Sequence, residues 1–208
     1  MNTKSLFVNT LTFIRVPLIF LWLLLALVEE YVPSVALIVL AGASMFLAGI
    51  TDAFDGALAR RWNVVSPLGK MADPLMDKVF YVVAFPALTW MILHQGDTTH
   101  SLVMLAFTML YILRDLWVTF LRSVGSLYGA DCGAMWLGKV RTALSFPAAG
   151  LVYAYLVFND MSPFAAWKGG MLAICYGAEA FLILLNLVSF VTYTRAYMPY
   201  LKKALEHR

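Results

Sequence analysis

Four aspartates carry the most specific chemistry in this sequence. They stand as Asp52-Ala-Phe-Asp55-Gly56-Ala-Leu-Ala59-Arg60 and, eight residues later, Gly69-Lys-Met-Ala-Asp73-Pro-Leu-Met-Asp77. On a helix, Asp52 and Asp55 (i, i+3) share one face, and so do Asp73 and Asp77 (i, i+4). Four carboxylates brought together would repel strongly, and each would cost roughly 2.5–3.5 kcal/mol at the centre of a bilayer. A shared hard cation removes the conflict. An all-oxygen set without histidine or cysteine favours Mg²⁺, Mn²⁺ or Ca²⁺ over zinc. The competing account is a salt-bridged interfacial loop using Arg60, Arg61, Lys70 and Lys78. The convergence of all four aspartates on two helix faces favours the metal.

Small residues accompany the acids. Asp52, Gly56 and Ala59 follow i, i+4, i+7, and Gly69 precedes Asp73 by four. Glycine at such places permits close approach by another helix or by a ligand. Gly42 and Gly49 read as helix-packing positions. Gly56 and Gly69, set between carboxylates and Arg60, read as ligand contacts.

The elements that must hold these residues follow from composition. Of 208 residues, 62% are apolar and 13% charged, with a mean hydropathy of +0.80, whereas soluble domains run near 45–50% apolar and about 25% charged. Too few polar residues are present to cover a core, so lipid must cover it. The expected fold is an all-α integral membrane bundle of six spans: Leu6–Val28, Pro33–Leu58, Val79–Leu93, Ser101–Leu121, Val140–Phe158 and Met171–Tyr193. The third run is short, so its helix should begin earlier, through Gly69–Lys78. Arg15 interrupts the first apolar run and no A-x-A-like site follows, which makes that segment a retained helix rather than a signal peptide.

Alternating the connections puts fourteen of the fifteen Lys and Arg residues at one set of ends, leaving only Lys168 at the other with Glu29, Glu30, Asp97 and Asp160. By the positive-inside rule the basic side is cytoplasmic, with both termini there. Asp52 falls nineteen residues after Pro33, about 29 Å along the axis, at the far edge of a roughly 30 Å hydrocarbon core. All four carboxylates therefore meet at the cytoplasmic surface of a multi-pass protein of the cell membrane. Residues 1–208 read as one domain without repeats or linkers. A formal charge of +3 suggests no nucleic-acid partner. Cys132 and Cys175 suggest neither a disulfide framework nor a zinc site, and His94, His100 and His207 read as solvated.

The pattern D-x2-D-G-x2-A-R-x8-G-x3-D-x3-D resembles the signature of the CDP-alcohol phosphotransferase family, with Asp52, Asp55, Gly56, Ala59, Arg60, Gly69, Asp73 and Asp77 filling every position. The resemblance implies a phosphatidyltransferase that takes CDP-diacylglycerol as donor. It implies two metal ions, Mg²⁺ or Mn²⁺, held by Asp52, Asp55 and Asp73, with Asp77 contributing to one of them and serving as general base. Asp52, Gly56, Ala59, Arg60 and Gly69 would form the CDP-donor site, and a homodimer is implied. Two-metal phosphoryl transfer of this kind works by positioning and charge neutralisation.

The remaining basic residues bear on the acceptor. Arg114 lies about 20 Å along its helix from Ser101, inside the cytoplasmic half of the bilayer, where an arginine faces a partner or a polar cavity. Asp115 points elsewhere on the helix and is a poor mate for it. Snorkelling accounts for Arg195, Lys202 and Lys203 but not for Arg114. A cluster of Arg114, Arg122, Lys139 and Arg141 suits a phosphate on a small alcohol acceptor, because guanidinium groups bind phosphate oxygens in pairs. Arg114-Asp115-Leu-Trp-Val-Thr-Phe-Leu-Arg122, Gly138-Lys139-Val-Arg141-Thr142 and Asn9-Thr-Leu11-Thr12-Phe-Ile-Arg15 are similar to the phosphatidylglycerophosphate synthase branch, whose acceptor is sn-glycerol 3-phosphate. The Arg-Asp pair also resembles cardiolipin synthases, which use phosphatidylglycerol, and inositol- or serine-type alcohols are further alternatives. Glu179 and Asn186 have no assigned role. A cation transporter, the reading from a different class, would place carboxylates near the midplane on broken helices; the depth of Asp52 argues for the enzyme.

Overall fold

In hydrocarbon, only helices and closed barrels satisfy every backbone N–H and C=O internally, and long apolar runs with helix-compatible small and branched residues take the first solution. A computed structural model of the protein describes residues 3–64, 67–130, 135–159 and 166–206; within these ranges the side chains of Ala53, Pro67, Leu68, Lys70, Met71 and Asp73 lie outside the described set. Its elements are α1 (Thr3–Glu29), α2 (Val35–Arg61), α3 (Pro67–His94), α4 (Thr98–Leu127), α5 (Trp136–Asn159) and α6 (Lys168–Glu206). Six helices among the described residues are long and apolar enough to cross a membrane, the number expected.

Helix α3 does begin early, at Pro67, and carries the polar 69–78 stretch as its first turns. Helix α2 starts at Val35 after an extended Ser34, so Asp52 lies about 26 Å along it. Helix α6 is longer than its apolar run: Arg195, Lys202 and Lys203 end the hydrophobic pattern but are sound helix formers, and the helix continues to Glu206. Gly96, at a φ of +87°, makes the tight turn between α3 and α4. The Asp97 carboxylate then accepts from the His100 backbone N–H at 2.9 Å and caps α4.

The helices pack as a closed ring, α2 on α1, α1 on α3, α3 on α4, α4 on α6, α6 on α5 and α5 on α2, with α3 also reaching α5. Each outer helix turns one stripe inward at three- and four-residue spacing. On α1 the stripe is Val8, Thr12, Arg15, Ile19, Trp22 and Ala26. On α6 it runs from Cys175 and Glu179 through Asn186 and Ser189 to Tyr197. The opposite faces show Leu24, Phe46, Leu113 and Leu184 outward, as a lipid-covered surface requires. The centre is aromatic: Phe85 meets the ring of Phe107 at 4.8 Å and that of Tyr111 at 5.1 Å.

Two expectations are corrected. His100 is fully buried, not solvated: its Nε2 lies 2.8 Å from Glu179 Oε1, across α4 and α6. A histidine one turn into an inward stripe is carried inside by the stripe, whatever the polarity of the nearby loop. His94 is half-exposed and stacks on Trp90 at 5.0 Å; His207 and Cys132 lie outside the described residues. The packing reading holds for Gly49 but not for Gly42. A Cβ at Gly49 would come within 2.5 Å of the Phe146 ring, whereas one at Gly42 would meet nothing within 4 Å.

Gly49 therefore sets the α2–α5 distance. Gly49→Leu should destabilise the protein by about 1–3 kcal/mol, the usual cost of overpacking, seen as a lower unfolding temperature in detergent. Gly42→Leu is the control and should leave that temperature nearly unchanged.

Candidate active site

The inward stripe of α1 delivers Arg15 to the carboxylate end of the bundle. Its guanidinium, 1% exposed, is surrounded by acids: Nη2 is 2.7 Å from Asp52 Oδ1 and 2.9 Å from Asp55 Oδ2, and Nη1 is 3.1 Å from Asp77 Oδ1. Thr12, one turn earlier on α1, donates its hydroxyl to the same Asp55 oxygen at 2.9 Å. Asp55 is buried, while half of the Asp52 side chain is open. Three of the four aspartates thus converge, with the spacing of α2 and α3 bringing them from two helices as expected. The Asp73 side chain lies outside the described residues. Among the described side chains the cation between the three acids is Arg15, rather than Arg60, Arg61 or Lys78; the Lys70 side chain lies outside the described set. Among the described residues, which leave out the Asp73 side chain, no three acidic, histidine or cysteine side chains close into a metal-holding cluster.

Across from these acids, the basic residues gather. Arg114, Arg122, Lys139 and Arg141 all line one cavity of about 360 Å³ whose other wall includes Arg15, Asp52 and Asp77. Arg114 and Arg141 are buried, and Lys139 is exposed. Arg141 lays its guanidinium 4.0 Å from the centre of the Tyr111 ring. Its Nη2 donates to Asp115 Oδ1 and its Nη1 to Asn186 Oδ1, each at 3.1 Å. Arg114 stands over the Tyr193 ring at 5.0 Å and donates from Nη2 to the Ser189 hydroxyl. Both arginines keep a buried Nε–H that meets no hydrogen-bond acceptor among the described residues.

Asp115 needs a correction. It reaches back to 3.7 Å from Arg114, but its closer partners are Lys78 Nζ and Arg141 Nη2, both at 3.1 Å. It is the carboxylate around which the basic wall is built. Gly138 explains how Arg114 comes close: a Cβ there would lie 3.1 Å from Tyr193 Oη and 3.6 Å from Arg114 Nη2. The Tyr193 hydroxyl accepts in turn from the Met135 backbone N–H at 2.7 Å, tying the start of α5 to α6.

Of the residues expected to bind the CDP donor, Asp52 is brought to this cavity and the other four are not. Gly56, Ala59, Arg60 and Gly69 are not among its lining. Arg60 is exposed and folds over Gly56, where a Cβ would meet its Nη1 at 3.4 Å. Sequence reasoning missed Arg15, Thr12, Asn186, Ser189 and Tyr193 as parts of the site. Arg15 carried a usable signal, since an ionisable residue inside a span is a functional candidate in its own right.

A cavity with acids on one wall and arginines on the other, at one end of a six-helix membrane bundle, suits transfer chemistry on anionic substrates, and the sequence comparisons agree. Residues 6–195 match the family described as CDP-alcohol phosphatidyltransferase. The chain belongs to that family. It is 32% identical over 186 residues to the CDP-diacylglycerol–glycerol-3-phosphate 3-phosphatidyltransferase of Bacillus subtilis, covering 83% of this chain and 92% of the relative. It is 34% identical over 143 residues to the enzyme of the same name from Salmonella choleraesuis, covering 66% and 71%. A shorter match, 46% identical over 55 residues, is to a cardiolipin synthase (CMP-forming) of Streptomyces coelicolor, and covers 26% of this chain and 23% of that one. As a CDP-alcohol phosphatidyltransferase, the protein is an enzyme of phospholipid biosynthesis.

In this phosphatidyltransferase Arg15 is the buried countercharge for the carboxylates. Arg15→Leu leaves them uncompensated, a change that typically costs about 3–5 kcal/mol when one member of a buried ion pair is removed. The unfolding temperature in EDTA should drop clearly, and adding Asp55→Asn to the same variant should recover part of the loss. An unchanged unfolding temperature would show that the acids do not depend on Arg15.

Proposed function

We propose that the enzyme transfers the phosphatidyl group of CDP-diacylglycerol to sn-glycerol 3-phosphate at the cytoplasmic face of the cell membrane, releasing CMP. The observation that carries this reading is the single cavity that holds Asp52 and Asp77 on one side and Arg114, Arg122, Lys139 and Arg141 on the other. The names of the Bacillus and Salmonella relatives support the same acceptor. The basic bias of one set of helix ends supports the cytoplasmic face and cytoplasmic termini. We further propose that residues 1–208 act as one catalytic domain within a homodimer, as the family resemblance implies.

The acids fit a divalent metal by their chemistry: the donors are all carboxylate oxygens, and one guanidinium offsets only one of the three charges around it. Asp52, Asp55, Asp73 and Asp77 would hold Mg²⁺ or Mn²⁺, two ions in all. When bound, the ions supply charge neutralisation at the donor diphosphate and its leaving group. Gly56, Ala59, Arg60 and Gly69 would then meet the nucleotide. For Arg60, this requires its side chain to swing away from Gly56. The basic wall holds the acceptor phosphate and directs the free hydroxyl towards Asp77, which removes its proton. The acceptor oxygen bonds to the phosphorus bearing the diacylglycerol, and the bond from that phosphorus to the CMP oxygen breaks.

Activity should vanish in excess EDTA and return with Mg²⁺ or Mn²⁺. Asp77→Asn should retain donor binding yet lose most of kcat, whereas Asp52→Asn should weaken donor binding as well. Near-normal kcat in Asp77→Asn would remove it from the role of base.

The acceptor is tested by Arg114. Hydrogen bonds to charged groups contribute about 1.5–3 kcal/mol, so Arg114→Ala should raise the KM for sn-glycerol 3-phosphate roughly ten- to a hundredfold while hardly moving the donor KM. Glycerol without its phosphate should be a very poor acceptor. Should phosphatidylglycerol react well and glycerol 3-phosphate fail, the activity is that of a cardiolipin synthase, to which the 55-residue match points.

A further inference from the structure

The inward stripe of α6 carries two polar residues that do not line the active-site cavity, yet hold the two buried arginines that do. Asn186 is 3% exposed and Ser189 is fully buried. The Asn186 amide is committed at both ends. Its oxygen accepts from Arg141 Nη1 at 3.1 Å, and its nitrogen donates to the Leu110 carbonyl of α4 at 2.8 Å. Flipping the amide would set NH₂ against guanidinium and oxygen against carbonyl, so one orientation is fixed. Ser189, three residues on and on the same face, accepts from Arg114 Nη2.

The chemistry of these tethers matters as much as their placement. Both are neutral. Among the described residues, Arg114, Arg141 and Lys78 share a single carboxylate, Asp115, so there the wall keeps an excess of positive charge. A carboxylate on α6 would hold Arg141 equally well in geometry but would cancel that excess. With Tyr111 and Tyr193 covering the guanidinium faces, the neutral tethers fix the arginines in place while leaving their charge for an incoming anion.

We propose that Asn186 and Ser189 are positioning residues that determine specificity for a phosphate-bearing acceptor, by holding Arg141 and Arg114 through uncharged partners. This inference rests on the assignment of the basic wall to the acceptor. The test uses the full-length enzyme in detergent with CDP-diacylglycerol and Mg²⁺, each substrate being varied at saturation of the other. Asn186→Asp keeps the size of the side chain and adds the charge. It should raise the KM for sn-glycerol 3-phosphate at least about tenfold, with donor KM and kcat staying within about twofold. Ser189→Ala, a smaller change that preserves packing, should shift the acceptor KM in the same direction by a smaller factor. Arg114→Ala and Arg141→Gln serve as reference variants. If they raise the acceptor KM while Asn186→Asp and Ser189→Ala leave it unmoved, the positioning role is overturned and the acceptor site stands. If none of the four moves it, the assignment of the basic wall fails, and this inference with it. Parallel changes in donor and acceptor KM for Asn186→Asp and Ser189→Ala would also overturn it, since a merely structural role would produce them.

Discussion

Arg15 and the three aspartates around it impose the constraint to which the surrounding bundle is built. Carboxylates at the edge of a hydrocarbon core are costly unless each has a partner, and α1 supplies one guanidinium that reaches three of them. To do so, α1 must pack against both α2 and α3. Its inward stripe must then change from aromatic and small residues at Trp22 and Ala26 to polar ones at Arg15 and Thr12. Apolar packing fixes the helix and the charges fix its rotation. Because the guanidinium leaves the acids only partly neutralised, the same geometry that stabilises them also leaves capacity for a further cation.

The opposite wall solves the inverse problem. Arg114 and Arg141 are buried cations, and full pairing with acids would leave nothing to attract an anionic substrate. The structure spreads one carboxylate, Asp115, over three cations and meets the remaining need with tyrosine faces, an amide and a hydroxyl. Cation–π contacts and neutral acceptors offset part of the desolvation of a guanidinium without removing its charge. The cavity is thus polarised, with negative excess at α2 and α3 and positive excess at α4 and α5. On the proposed reading, two anionic substrates would bind side by side here because each would meet its own countercharge, a metal for one and a guanidinium for the other.

Much of this was legible in the sequence. Hydrophobic run lengths give six spans because a bilayer demands a nearly fixed length of helix, and the i, i+3 and i, i+4 aspartates share faces because helix geometry leaves no alternative. The early start of α3 followed from the shortness of its apolar run. The position of Arg114 in its span marked it as buried. What escaped were partners set by packing between distant segments. Arg15 meets Asp77 across 62 residues and Asn186 meets Arg141 across 45. Local patterns carry no information on which inward stripe faces which. His100 was misread for a related reason: proximity to a polar turn is a statement about sequence, whereas burial depends on the phase of the helix, and His100 is in phase with Met104, Phe107 and Tyr111.

Helix α6 shows how far that phase argument reaches once the fold is known. Glu179, Asn186 and Ser189 share one inward stripe, so all three had to find partners or stay uncompensated in a low-dielectric interior. Glu179 found His100 at the end of the bundle away from the aspartates, where the contact joins α4 to α6. Asn186 and Ser189, two and three turns further on, found the arginines of the cavity. One stripe therefore ties α4 to α6 at one end and arranges the basic wall at the other. On the proposed reading of the basic wall, its uncharged members sit where positive charge is needed, and its carboxylate lies away from that wall, paired with His100. That division of charge along a single helix follows from the position of the cavity, and it gives the last helix, where the motifs are weakest, a part in the chemistry set out by the first five.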